Sequence, residues 1–247
     1  MRFGLIVQDD SLYLPKHVNS LLNEFDFQFV AVISPKLPSD NILKLFSRYQ
    51  CVLGTPGLLF VAATSIYNRL IHRESIKKYA RKNKVEIVKV RKINDVSFVE
   101  YVKDQRIDYL ISIGCPQILR KELLRAPLEG CVNLHGGYLP DYPGVFSAFW
   151  NLMDESNYAG ATVHLMDEKV DSGQILLRER FPISSGDTLI SLYSRIADLG
   201  VKLLRETLIG LESNKSFDPI SNIHNRYFSF PNRIDRKKFR AKGLRVF

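Results

Sequence analysis

The chain predicts an open, mostly parallel, doubly wound α/β sheet with helices on both faces, and three observations carry that expectation. Short apolar runs at 3–7, 27–34 and 109–113 alternate with segments of helical periodicity. The run at 109–113 is apolar almost throughout, as a parallel strand covered on both faces must be. Glycine-containing turns follow the later strands, at Gly114 and at Gly136-Gly137, and the carboxyl ends of strands are where an open parallel sheet collects its ligands.

Taken in order, strand 3–7 leads to a helix that opens at Pro15, since proline is tolerated in a first turn. After strand 27–34, Pro35 and Pro38 break the pattern and Asp40 is expected to cap a helix reaching Tyr49. The apolar run 51–63, from Cys51 to Ala63, is interrupted by Gly54, Pro56 and Gly57 and followed by Arg69, Arg73, Lys77 and Lys78. Core packing is the favoured reading of this run; peripheral membrane contact and an oligomer interface are the alternatives. Next come a basic helix at 75–83, a strand at 85–90, and a helix at 97–105 capped by Asn94-Asp95. Strand 109–113, a helix at 117–124 and strand 131–134 complete the parallel set. Helix 145–153 carries an aromatic face, and strands 161–166 and 174–179 flank a polar loop. Gly186-Asp187-Thr188 caps a long helix to 209, in which Leu192, Ile196, Leu199, Leu203 and Leu204 recur at helical spacing. The expected organisation is a catalytic domain over 1–212, with halves 1–92 and 93–212, and a basic extension over 213–247.

A chain of 247 residues, 45% of them hydrophobic, can bury a full core. The apolar start meets Gln8-Asp9-Asp10 too early for a secretory signal, and no apolar run is expected to reach the roughly 18 residues of a membrane span, so a soluble cytoplasmic protein is expected. Cys51, Cys115 and Cys131 are odd in number and lie among apolar neighbours, which argues against a disulfide framework and against a metal site. The net charge of +9 is uneven. Residues 69–92 hold ten Lys/Arg against two acids and residues 226–247 hold eight against one, leaving −6 for the remainder. Nucleic acid is therefore a disfavoured partner, because a polyanion surface should be broadly basic.

The candidate site centres on Asn133 and His135, which project the same way from an extended backbone, and on Asp171 in the loop 170–173. Each alone is an ordinary turn or satisfied polar residue. His164 is either a supporting group or a packing residue. Cys115 shows no neighbouring base or cation that would activate it, and it is read as structural.

With these residues in view, the stretch 108–211 resembles the formyltransferase family that uses N10-formyltetrahydrofolate. The resemblance rests on Asn133-x-His135, Leu139-Pro140 and Asp171-Ser172-Gly173. It is supported by Gly160 through His164, by Gly186-Asp187-Thr188 and by Gln117-Ile118-Leu119. The chain departs from the family pattern at Gly136-Gly137-Tyr138, and it lacks the glycine-rich phosphate loop of the purine enzyme. The resemblance implies a Rossmann-like fold and the catalytic trio Asn133, His135 and Asp171. It also implies that the folate co-substrate lies against Asp167, Glu168 and Lys169, near Gln117 and Leu119.

Formyl transfer to an amine passes through a tetrahedral carbon whose oxygen becomes negative, while the amine loses a proton. Asn133 can donate to that oxyanion. An imidazole, which titrates near about 6.5, can serve as proton acceptor or as cation, with Asp171 orienting it. The expected acceptor is a small-molecule amine, by resemblance a nucleotide-linked amino sugar of surface polysaccharide synthesis. Gly137, Tyr142, Phe146 and Trp150 are its candidate contacts, although aromatic residues at helical spacing are more often core. Methionyl-tRNA and glycinamide ribonucleotide are the alternatives. The former is disfavoured because only some thirty-five residues follow the long helix. From other classes stand a non-catalytic folate- or nucleotide-binding regulator and a basic RNA- or membrane-surface module. A homodimer is expected.

Overall fold

The computed structural model describes every residue except Ser11, His72, Arg73, Pro219 and Asn225, and every other side chain except that of Arg69. Arg73 and the Arg69 side chain, both counted in the first basic segment, lie outside the described residues. Seven strands form one sheet in the order β3-β2-β1-β4-β5-β6-β7. Its parallel part comprises β1 (Phe3–Gln8), β2 (Phe27–Ile33), β3 (Glu86–Val88), β4 (Tyr109–Ile113) and β5 (Gly130–His135). The last two strands, β6 (Tyr158–Leu165) and β7 (Ile175–Pro182), run antiparallel. The strand order reverses between β1 and β4, so the crevice beyond their carboxyl ends is the natural place for a ligand.

Two apolar cores sandwich the sheet. One lies beneath α1 (Leu14–Glu24), α3 (Ile76–Lys82), α6 (Ser147–Met153) and the long α7 (Leu189–Glu212). The other lies beneath α4 (Val96–Asp104) and the single turn α5 (Lys121–Leu124). Alternation places neighbours of one strand on opposite cores: Leu5 and Val7 enter the first, Ile6 the second. The helix α7 opens with a reciprocal capping box between Thr188 and Ser191.

Four local expectations are corrected. First, the cap of α2 (Ile42–Leu70) is Asn41, whose side chain accepts from the Lys44 amide, while the buried Asp40 carboxylate is held by Arg48. Second, α2 does not stop at Tyr49 but continues through the run 51–63, bending at Gly54, whose φ of 69° is left-handed. Core packing holds for only part of that run: Val52 is buried, whereas Leu59 and Phe60 are exposed. Third, residues 117–120 are not helical, because Asn94 is occupied there rather than in capping α4. Its amide donates to the Ile118 carbonyl and its oxygen accepts from the Arg120 amide, both at 2.8 Å. Fourth, the basic tail contains a helix, α8 (Arg233–Ala241), started by a capping box between Asn232 and Asp235.

The tail is fastened by aromatic packing. Phe239 of α8 is fully buried and stacks on Phe149 of α6, with ring centroids 4.8 Å apart. Phe228 stacks on Tyr142 at 5.3 Å. Truncating Phe239 removes a large side chain from the first core. Phe239→Ala is therefore expected to lower unfolding stability by about 3–5 kcal/mol, measured as a fall in the urea midpoint at unchanged slope.

Candidate active site

The site is built on one face of the antiparallel pair β5–β6. Asn133 and His135 lie two residues apart on β5 and therefore share a face. The pairing sets Asn133 opposite His164 and His135 opposite Thr162. Four polar side chains thus meet in the interior of the sheet, with Thr162, His164 and His135 all buried. Buried polar groups require partners, and the partners define the chemistry.

His164 is the first to be fixed. Its Nδ1 lies 2.8 Å from the Leu165 carbonyl, which only accepts, so Nδ1 carries the proton and Nε2 is left as an acceptor. The Asn133 side-chain amide lies 3.2 Å from that Nε2 and donates to it. Burial, reinforced by the neighbouring His135 imidazole, holds the His164 pKa below its ordinary value, so the ring stays neutral and keeps its acceptor. One amide N–H of Asn133 is thereby committed to His164. No hydrogen bond among the described residues occupies the other.

His135 follows the same logic. Its Nε2 donates to the Tyr142 carbonyl at 2.8 Å, which leaves Nδ1 facing Asp171 Oδ1 at 3.8 Å. The same Oδ1 stands 3.8 Å from His164 Nε2. The second carboxylate oxygen, Oδ2, accepts from the Gly144 amide at 2.7 Å. Asp171 takes the left-handed φ of 54° needed to turn its side chain inward. Asn222 braces that turn, donating to the carbonyls of Asp171 at 3.0 Å and Gly173 at 2.8 Å. Gly144 has φ 108° and lies so close to the Phe228 backbone that an added Cβ would fall 2.1 Å from its carbonyl oxygen, so only glycine presents this amide.

The loop between Asn133 and Gly144 is shaped from beneath. Thr162 Oγ1 donates to the Gly137 carbonyl at 2.8 Å and accepts the Leu139 amide at 3.0 Å. Ser147 Oγ donates to the Gly136 carbonyl. Gly137 is itself buried, so this loop residue forms part of the wall around the imidazole.

The expected folate contacts divide into two kinds. Asp167, Glu168 and Lys169 are exposed. Their turn is closed by Asp167 Oδ1, which accepts from the Lys169 amide at 3.1 Å and the Ser172 hydroxyl at 2.7 Å. This leaves a ready-made backbone edge beside the trio. The Leu119 side chain, by contrast, is buried in the second core, with Met166 packed against that cluster, and has no exposed surface to offer a ligand. The Gln117 side chain is likewise engaged, donating to the Arg91 carbonyl at 2.9 Å and accepting from the Ile93 amide at 3.2 Å. Neither side chain is therefore available to a ligand as the sequence led one to expect.

The aromatic candidates are covered. Tyr142 is buried under Phe228, Phe146 packs against Phe230 at 4.7 Å and Tyr49 at 6.2 Å, and Trp150 donates to the Ser229 carbonyl at 3.1 Å. Packing against the tail therefore engages their faces. Burial pushes the Cys115 thiol up to about 11 and the Cys131 thiol up to about 12, which suits neither as a nucleophile.

The sequence reading missed Gly144 as a donor and Asn222 as a brace. Neither has a local signal: Asn222 acts 51 residues away from Asp171 along the chain.

Comparison with known proteins bears on the family and the fold. The formyl transferase family model matches residues 57–208. The chain is 37% identical to the methionyl-tRNA formyltransferase of Caldicellulosiruptor saccharolyticus over 134 residues, 54% of this chain and 43% of that protein. It therefore spans less than half the length of this curated relative. Among solved structures, a sugar N-formyltransferase from Shewanella shares the fold with a TM-score of 0.60 at 20% identity, over 93% of this chain and 77% of that one. An N-formyltransferase from Helicobacter canadensis, in complex with folinic acid and dTDP-3-aminofucose, gives 0.57 at 18% identity, over 92% and 70%.

The neutrality of His164 has a consequence for stability. A histidine whose folded pKa is depressed binds fewer protons folded than unfolded, so stability is full above the unfolded value of about 6.5 and falls as pH drops below it. Replacing it by Gln, which retains an acceptor for Asn133, is expected to flatten the decline of the urea midpoint between about pH 6.5 and pH 5 relative to the parent.

Proposed function

We propose that this chain, which belongs to the formyl transferase family, transfers a formyl group from N10-formyltetrahydrofolate to the primary amine of a nucleotide-linked amino sugar. The observation that carries formyl transfer is the convergence of Asn133, His135 and Asp171 on one face of β5–β6, with an Asn133 N–H and the His135 Nδ1 edge both left for the reaction. The amine lone pair attacks the formyl carbon, and its oxygen takes the negative charge. The free Asn133 N–H donates to that oxygen. His135 keeps Nε2 on the Tyr142 carbonyl, so Nδ1 is the acceptor for the proton leaving the amine, with Asp171 Oδ1 on the same edge 3.8 Å away to pass it on. Collapse of the tetrahedral carbon breaks its bond to N10, which takes up a proton in turn. The backbone edge at Asp167, Glu168 and Lys169 is our candidate for the pterin.

A basic cavity favours a nucleotide-bearing acceptor. About 460 Å³ in volume, it opens at the carboxyl ends of β1, β2 and β3, where Lys36, Lys77, Lys89 and Arg91 stand around Asp9. Three strand spacings, about 14 Å, separate β2 from β5 across the sheet. An acceptor whose phosphates rest in this cavity and whose amine reaches the trio must be elongated, as a sugar nucleotide is. The neighbour from Helicobacter canadensis, crystallised with such a compound, supports this choice.

Methionyl-tRNA is the second reading, favoured by the sequence relatives at 37% identity or a little less. The two separate in one assay. Tetrahydrofolate release is followed with N10-formyltetrahydrofolate and a panel of amino-sugar nucleotides, glycinamide ribonucleotide and methionyl-tRNA. Release is expected with a sugar nucleotide; release with methionyl-tRNA alone selects the second reading, and absence of release with every acceptor argues against transfer altogether. In the productive assay, Asn133→Ala is expected to lower kcat by roughly 10²–10³ with little change in KM. Near-parental turnover would remove Asn133 from the mechanism.

A further inference from the structure

The second half of α2 is inside out. After the bend at Gly54, the buried or half-buried positions are Gly57, Leu58, Val61, Thr64, Ser65 and Asn68, of which only Leu58 and Val61 are apolar with a side chain to pack. The outward face carries Pro56, Leu59, Ala63, Ile66 and Leu70 at helical spacing, with Leu59 66% and Ile66 58% exposed. A water-facing surface helix has the opposite pattern. Between Arg48 and Arg69 there is no charged residue at all. The segment Ile42–Asn68 is long and apolar enough to cross a membrane, yet it is less than a quarter buried. Contiguous exposed apolar surface of this kind marks an interaction site.

The surroundings indicate what covers it. The tail helix α8 packs beside α2, and its Arg236 donates to the Val52 carbonyl at 3.0 Å. Arg233, Arg236 and Arg240 line a cavity of about 370 Å³ whose other walls are Gln50, Cys51 and residues 54–56 of α2. Pro56, on that wall, is also the first residue of the outward apolar stripe. An apolar strip thus runs directly out of an arginine-lined pocket. A second copy of the chain is a poor occupant. A symmetric pairing through this face brings two α8 segments together, and residues 226–247 carry eight basic residues against one acid. An anionic bilayer surface matches both features, offering hydrocarbon to the stripe and phosphate to the arginines.

We propose that α2 and α8 together dock this protein on the surface of anionic membranes, with the outward face of residues 56–70 entering the acyl boundary and Arg233 and Arg240 engaging lipid phosphates. The helix lies in the interface and does not span it. Its middle is pinned by buried Val52 and by Arg236, and its first half by the contact of Tyr49 with Phe146, so crossing would tear it from the fold.

Flotation of the full chain with vesicles tests this independently of any enzymatic activity. The chain is expected to float with phosphatidylcholine vesicles containing phosphatidylglycerol, only weakly with phosphatidylcholine alone, and less at high salt. The double substitution Leu59→Ser and Ile66→Ser, at exposed positions, should weaken binding at least about 100-fold. Arg233→Gln with Arg240→Gln should weaken binding to the anionic vesicles about 25-fold and leave the weak neutral binding unchanged. Equal flotation of the parent and both variants overturns the proposal. So does a parent dimer that the Leu59/Ile66 variant converts to monomer, which makes a second copy the occupant. Retention on vesicles after alkaline carbonate extraction overturns it as well, because the helix would then span.

Discussion

Asp171 joins parts of the chain that are far apart in sequence. One carboxylate oxygen accepts the Gly144 amide, the other stands 3.8 Å from a nitrogen of His135 and of His164, and its backbone carbonyl accepts from Asn222. A carboxylate with its side chain only 9% exposed is costly unless hydrogen-bonded and placed near positive charge or N–H groups. That requirement fixes the loop after β5, the loop between β6 and β7, and the tail segment at Asn222 relative to one another. Loss of the Gly144 amide would leave the buried carboxylate short of a donor, whereas loss of Asn222 would release the backbone turn that aims it.

The two histidines illustrate how backbone carbonyls select tautomers. Leu165 and Tyr142 each accept from one ring nitrogen and so determine what the other can do. For His164 the result is a neutral acceptor that aims Asn133; for His135 it is an edge turned toward Asp171. Ring identity is the same in both, and environment separates the roles. The tail contributes to that environment. Phe228 covers Tyr142 and forms a backbone bridge with Gly144, so the segment after α7 completes the wall around the site.

Much of this was legible beforehand because it rests on local rules. Period-two and period-3.6 patterning identified all the parallel strands and most helices, and the pair Asn133 and His135 declared a shared face by spacing alone. The failures share a cause. Of the expected pair Asn94-Asp95, Asp95 takes the N-cap position of α4 without a side-chain bond while Asn94 is drawn to Ile118 and Arg120, Asp40 lost its capping role to Asn41 and to its bond with Arg48, and the basic extension sends Phe239 into the core. In each case a partner distant in sequence outcompeted a local preference. The run 51–63 is the converse: its composition suggested a core, and the fold left much of it outside.

Sequence alone determined the sheet, its carboxyl-end loops and the residue types of the candidate site, since strand alternation and turn chemistry act within a few residues. Tertiary structure alone decided that Asp171 lies between two histidines, that His164 aims Asn133, that Gly144 and Asn222 hold the clamp, and that the apolar face of α2 points outward beside arginines. Those outcomes depend on which buried polar groups find partners and which apolar surfaces find cover, and only the packed chain brings the competing groups within reach of one another.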